Sequence, residues 1–175
     1  MQVLLNSPRL KLQREAYSAI IASPVGPLGL KVEQGKLKAL DFLSPNTPLI
    51  LNADSTVDSY IRALHNYFSN SKLISIPLTS LSLSGTPFQL KVWDALTKIP
   101  AGSTITYGHL AKALNSSPRA IGGACKSNPC PIIIPCHRVV AAKHLGGFAG
   151  CLTGSKIKLK HWLLQHEASF IKNCI

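Results

Sequence analysis

The sequence predicts an α+β protein in two parts: a small α/β domain over residues 1–80 and a mainly helical domain over residues 81–175. Three observations carry this prediction. Segments 28–32 and 37–42, both apolar-rich, flank Gln34-Gly35, where glycine supplies the positive φ of a hairpin turn. Thr86-Pro87-Phe88-Gln89 combines an N-cap threonine, proline at the first helical position and glutamine at the third, the signature of a capping box. The charge is also unevenly divided. Residues 1–80 hold eight Lys/Arg and five Asp/Glu, whereas residues 81–175 hold eleven Lys/Arg and only Asp94 and Glu167.

Taken in order, segment 17–23 reads as a short apolar strand that precedes the hairpin. Segment 44–55 is rich in Pro, Asn and Ser and reads as a loop. Helical spacing over 57–68 places Val57, Ile61, Leu64 and Phe68 on one face. Segment 70–84 reads as an extended linker. The helix that starts at the capping box presents Phe88, Val92, Ala95, Leu96 and Ile99, and Pro100 with Gly102 ends it. Thr106 caps a second short helix over 107–114, Asn115-Ser116-Ser117 turns the chain, and Pro118 starts a third helix that runs to about Lys126. Two short helices joined by a tight polar turn fit a helix-turn-helix. The start of its second helix is the part that reaches DNA, which here singles out Arg119. Gly122 and Gly123 in that helix cost about 1 kcal/mol each against alanine. Tight helix packing and close approach of DNA both explain them.

Composition narrows the function classes. A hydrophobic content of 46% in 175 residues excludes a disordered chain. No run approaches 18 uncharged apolar residues, so no transmembrane helix and no membrane role are expected. Residues 1–20 lack the apolar core of a signal peptide. Five cysteines without a CxxC pair fit neither a disulfide framework nor a zinc knuckle. The expectation is a reduced, cytoplasmic protein with free thiols. The net charge of +12, concentrated after residue 80, points to a polyanionic partner, and nucleic acid is favoured over membrane.

The run Asn128-Pro129-Cys130-Pro131-Ile132-Ile133-Ile134-Pro135-Cys136-His137-Arg138-Val139-Val140 carries the chemistry. Most buried cysteines are inert small hydrophobes, but a thiolate beside positive charge is a nucleophile. His137 and Arg138 place two cations next to Cys136. Neighbours on an extended chain point to opposite faces, so direct contact between thiol and imidazole is awkward, and a water between them would solve this. On spacing alone, the inert and the nucleophilic readings both stay open.

Pro135-Cys136-His137-Arg138 resembles the active-site motif of the O6-alkylguanine-DNA alkyltransferases, the methylated-DNA–protein-cysteine methyltransferases. The resemblance extends through Gly85-Thr86-Pro87-Phe88-Gln89, Val92-Trp93, Ile99-Pro100, Thr106-Tyr107, Arg119-Ala120 with Gly122, Asn128-Pro129, and Leu163-Leu164 before Glu167. A looser match covers Ser23-Pro24-Val25-Gly26-Pro27 and Leu40-Asp41-Phe42. It implies a ribonuclease-H-like N-terminal domain and a winged helix-turn-helix-like DNA-binding domain. It also implies repair by direct reversal, in which Cys136 takes the alkyl group from O6-methylguanine, and from O4-methylthymine, once per molecule. The expected partner is double-stranded DNA bound through its minor groove by a monomer, with no cofactor and no metal. In this scheme His137 activates the thiol through water, Glu167 holds the imidazole, and Asn128 shapes the turn that presents the cysteine. Tyr107 donates to the guanine ring and helps to rotate the nucleotide outward, and Arg119 fills the gap left in the base stack. Ala120 and Gly122 belong to the DNA-facing helix. The carbonyls of Cys136 and Val139 accept from the exocyclic amine, Phe148 packs on the base, and the Ala149 amide reaches O6. Phe148 and Ala149 depart from the tyrosine and serine that are common in the family. Two further classes compete: a DNA-binding module of the alkyltransferase-like type that lacks chemistry, and a thiol hydrolase. The first replaces the acceptor cysteine, which is present here, and the second leaves the basic helix-turn-helix unexplained.

Overall fold

A computed structural model describes residues 15–51, 54–69 and 76–172. Most of the expected absence of a leader (residues 1–14), the first part of the linker (70–75) and Cys174 lie outside those residues. The chain divides into two compact units, Met1–Ser82 and Leu83–Ile175.

The first unit is built on an antiparallel sheet of β1 (Ala19–Ile21), β2 (Leu28–Glu33) and β3 (Lys36–Phe42) in that order. The β2–β3 turn is where the sequence places it. Gln34 and Gly35 take φ of 50° and 75°, both in the left-handed region that a two-residue hairpin turn needs. Two segments read as irregular still reach the sheet. Ile50 exchanges backbone hydrogen bonds with Ile20, and Leu81 bridges Leu37; both side chains are buried. Helix α1 (Ser55–Phe68) is capped by the Asp54 carboxylate, which accepts from the amides of Thr56 and Val57. Its buried face is Val57, Tyr60, Leu64 and Tyr67, not the expected Val57, Ile61, Leu64 and Phe68. Hydrogen bonding explains the difference. The Tyr60 hydroxyl donates its one proton to the Ser80 carbonyl at 2.8 Å, with the Gly35 carbonyl at 3.2 Å as the other acceptor in reach, and accepts from the Leu37 amide, so the ring is buried with its polar end satisfied.

In the second unit, α2 (Pro87–Thr97) starts with the expected reciprocal cap. Thr86 Oγ1 accepts from the Gln89 amide and Gln89 Oε1 accepts from the Thr86 amide. Val92, Trp93 and Leu96 are its buried residues, and Trp93 Nε1 donates to the Ala124 carbonyl at 2.9 Å. Helices α3 (Tyr107–Ala113) and α4 (Pro118–Lys126) form the helix-turn-helix. Thr106 and Ser117 cap them, and Asn115 in the connection sits at φ 51°. Two features had no sequence signal. Strands β4 (Ile105–Thr106) and β5 (Val139–Val140) pair in parallel, and Cys136–Arg138 forms a turn of 3₁₀ helix between Pro135 and β5. Helix α5 (Ser155–Lys172) follows the loop after β5. Among the described residues, no helix is long and apolar enough to cross a membrane.

Candidate active site

The 3₁₀ turn changes how the motif residues face one another. The alternation expected of an extended chain does not apply, and Cys136 and His137 are both buried, 5% and 0% exposed. Asn128 braces the loop beneath. Its amide donates to the Ile134 carbonyl at 2.8 Å and its Oδ1 accepts from the Cys130 amide at 3.0 Å, which closes the 128–134 segment into a rigid support for Cys136.

His137 lies against Glu167 of α5, Nε2 to Oε1 at 2.8 Å. Glu167 is 0% exposed, so it is not a solvated surface acid. Burial pushes its carboxyl up, but hydrogen bonds from His137 and Arg138 outweigh that and hold it well below the usual carboxylate range. An ionised Glu167 therefore accepts the proton on Nε2, which leaves His137 Nδ1 as the unprotonated nitrogen. Nδ1 is buried without a protein hydrogen-bond partner. Burial, with the charges of Arg138 and Lys160, lowers the imidazole pKa below its ordinary 6.5 despite the opposing pull of Glu167. The result is a neutral base with one free lone pair.

The second expected cation is not where adjacency suggested. Arg138 grips Glu167 in a bidentate pair, Nε to Oε2 and Nη2 to Oε1, both at 2.8 Å, and Nη1 donates to the Ile99 carbonyl. Its charge is matched by the carboxylate. The cation near Cys136 is Lys160, which the sequence reading missed. Lys160 alternates with Lys156 and Lys158 in an ordinary basic stretch. The one available signal was its seven-residue spacing from Glu167, which puts both on one helix face.

Cys136, Tyr107, Arg119, Gly122, Phe148 and Ala149 line one cavity of about 570 Å³. Tyr107 enters from the start of α3, and its hydroxyl donates to the Gly147 carbonyl at 3.4 Å. Burial and the nearby Cys125 and Cys136 push that hydroxyl up to about 12, so it stays a donor. Arg119 is exposed at the start of α4 and Ala120 is half-buried, its amide donating to Ser117 Oγ. A Cβ built on Gly122 or Gly123 meets nothing within 4 Å, so internal packing does not explain these glycines. Across the cavity, Phe148 and Cys151 exchange two backbone hydrogen bonds in a tight turn whose middle residues, Ala149 and Gly150, take φ of 47° and 80°. Gly146, at φ 72°, admits the Tyr107 ring, because a Cβ there would lie 2.9 Å from its Cε2. The Val139 carbonyl accepts from Lys160 Nζ at 2.6 Å, which leaves it one lone pair. Cys125 on α4 is a second thiol of the cavity, and burial raises it to about 12. Among the described residues, no group of three or more His, Cys, Asp or Glu is arranged to hold a metal ion.

Fold and site together define a helix-turn-helix protein with a buried thiol, a neutral imidazole and an ionised carboxylate behind an open cavity. Residues 87–169 match the family model of the 6-O-methylguanine DNA methyltransferase DNA-binding domain. A Metallosphaera sedula methylated-DNA–protein-cysteine methyltransferase is 36% identical over 152 residues, covering 86% of this chain and 92% of that one. The Thermococcus kodakarensis protein of the same name is 54% identical over 92 residues, 51% of this chain; the match spans only half of that relative's length. The crystal structure of Mycobacterium tuberculosis OGT in complex with DNA superposes with a TM-score of 0.72 at 35% identity, covering 86% of this chain and 92% of that one. This chain belongs to the methylated-DNA–protein-cysteine methyltransferase family.

Proposed function

We propose that this protein repairs DNA by direct reversal: it moves the methyl group of O6-methylguanine, and of O4-methylthymine, irreversibly onto Cys136. One observation carries the reading. A thiol on the wall of a cavity of about 570 Å³, roomy enough for a base, has behind it an imidazole whose ring N–H is held by a buried carboxylate. Burial keeps the Cys136 thiol protonated in the resting protein, so a base must act as it reacts. His137 Nδ1 takes the thiol proton through a bridging water, sulfur bonds to the methyl carbon, and the C–O6 bond breaks. The Tyr107 hydroxyl donates to the guanine as it leaves, and the lid turn at Phe148 and Ala149 covers the base.

A methyl group inside a duplex is out of reach of a buried thiol, so the nucleotide is extruded at a cost of a few kcal/mol. The open backbone at Gly122 and Gly123 lets the minor groove approach α4, and Arg119 beside it enters the vacated stack. The protein acts as a monomer and in the cytoplasm on this reading. Mixing it with a duplex that contains O6-methylguanine and recording intact mass tests the proposal. The expected result is one methyl per molecule, mapped to Cys136, with no further turnover. A methyl on Cys125 or Cys130, or release of modified product with turnover, contradicts it.

A further inference from the structure

Helix α5 turns one face toward the reacting segment and puts two opposite charges on it. Lys160, Leu163 and Glu167 are all 0% exposed and lie on successive turns. Glu167 is accounted for by His137 and Arg138. Lys160 is not, and a lysine is almost never fully buried without a specific reason. Its Nζ donates to two carbonyls on different segments, Val139 immediately after the motif at 2.6 Å and Gly147 at the root of the lid turn at 3.0 Å. The Gly147 carbonyl also receives the Tyr107 hydroxyl, at the longer distance of 3.4 Å.

We propose that Lys160 is a positioning residue for alkyl transfer. It ties the lid turn over residues 146–151 to the segment that carries Cys136, and it supplies the positive charge that Arg138 cannot give to the thiol. The inference rests on the alkyl-transfer reading above. Two consequences follow from the geometry. Tyr107 can leave Gly147 to donate to a base without freeing the lid, because Lys160 keeps the shorter bond to the same carbonyl. The sequence-adjacent Arg138 is matched by Glu167, so the cation that favours a Cys136 thiolate is the one from α5.

The groups around Lys160 come from several elements: Tyr107 of α3, its ring centroid 5.8 Å from Nζ, Cys125 of α4, and Cys136 and His137 of the 3₁₀ turn. Burial lowers the Lys160 ammonium to about 8, and the two thiols counter that only in part. The amine is therefore charged at neutral pH and discharges within an accessible range.

The test compares wild type, Lys160→Met and Lys160→Arg by three readouts. These are the rate of methyl uptake from duplex DNA by mass, the pH dependence of Cys136 alkylation by iodoacetamide without DNA, and amide exchange over residues 145–151. Lys160→Met is expected to slow methyl uptake about 10- to 100-fold, as for loss of charged, buried hydrogen bonds. It is also expected to move Cys136 alkylation to higher pH and to speed lid exchange, and Lys160→Arg to recover part of all three. If Lys160→Met fails to fold, Lys160→Gln, which keeps an N–H donor and drops the charge, is read in the same way. Unchanged lid exchange and unchanged iodoacetamide profile in a folded variant overturn the inference, even if methyl uptake slows. Absence of methyl uptake by wild type defeats the alkyl-transfer reading instead, and the other two readouts still decide the role of Lys160.

Discussion

Among the described residues, the ion pairs of the first unit lie on its surface. Lys31–Asp41, Lys38–Glu33 and Arg62–Asp58 hold their partners at 2.8–2.9 Å with every side chain more than a third exposed. In the second unit His137 and Glu167 are fully buried and Arg138 nearly so, at the same distances. Equal geometry carries unequal weight. Solvent screens the exposed pairs, which contribute about 0–1 kcal/mol each. Breaking a buried pair strands a charge and costs about 3–5 kcal/mol. A buried ionic cluster is therefore poor evidence of a design for stability, and at Cys136 its arrangement matches a chemical task instead.

The largest effect is expected at the sulfur itself. Cys136→Ser should abolish methyl uptake while a labelled duplex still binds, read by intact mass and by binding in parallel; residual uptake at another thiol would break the comparison. Next comes Glu167→Gln. It should lower stability by about 3–5 kcal/mol by stranding Arg138 and slow methyl uptake strongly, whereas Asp58→Asn in the first unit should cost no more than about 1 kcal/mol. Denaturant midpoints of the two variants measure the contrast directly, and equal losses would refute it.

Acid should sharpen the same contrast. The His137 pKa is lowered in the fold, so its contribution is complete above its ordinary 6.5 and declines as pH falls below that value. The Glu167 pKa is also lowered, so its contribution is complete above its ordinary 4.5 and is lost as pH falls toward the folded value. Both push the same way. Hydrogen exchange as a function of pH should show the Cys136 region loosening on acidification, and methyl uptake should persist below pH 6.5 until Nδ1 is protonated. A rate that falls with an ordinary histidine midpoint would contradict the buried, neutral base.

The smallest expected effect concerns an exposed charge in the second unit. Arg119→Ala should slow repair in duplex DNA, where unstacking costs a few kcal/mol, and hardly alter reaction with the free base O6-benzylguanine. The ratio of the two rates at one salt concentration reads this out. An equal fall in both would give Arg119 a structural role, and a salt slope reduced by about one would make it a phosphate contact.

Local chemistry written into neighbouring residues was legible in the sequence: the Gln34-Gly35 turn, the Thr86–Gln89 capping box, the Thr106 cap of α3, the Pro118 start of α4 and the Cys136-His137-Arg138 run. Each depends on residues within a few positions of one another, so the sequence alone determines them. Contacts between distant segments were not legible. Tyr60 rather than Ile61 faces the core because three backbone groups far along the chain satisfy its hydroxyl. The β4–β5 pair joins residues 34 positions apart through two-residue strands too short to leave a pattern. Which cation serves the thiol was decided the same way. Adjacency suggested Arg138, but a side chain answers to what lies at its tip, and there the fold puts Glu167 against Arg138 and Lys160 near Cys136. The sequence determined the nucleophile and its neighbours along the chain. Only the tertiary structure decided their electrostatic partners, because those act through space over a few ångströms whatever their separation in sequence.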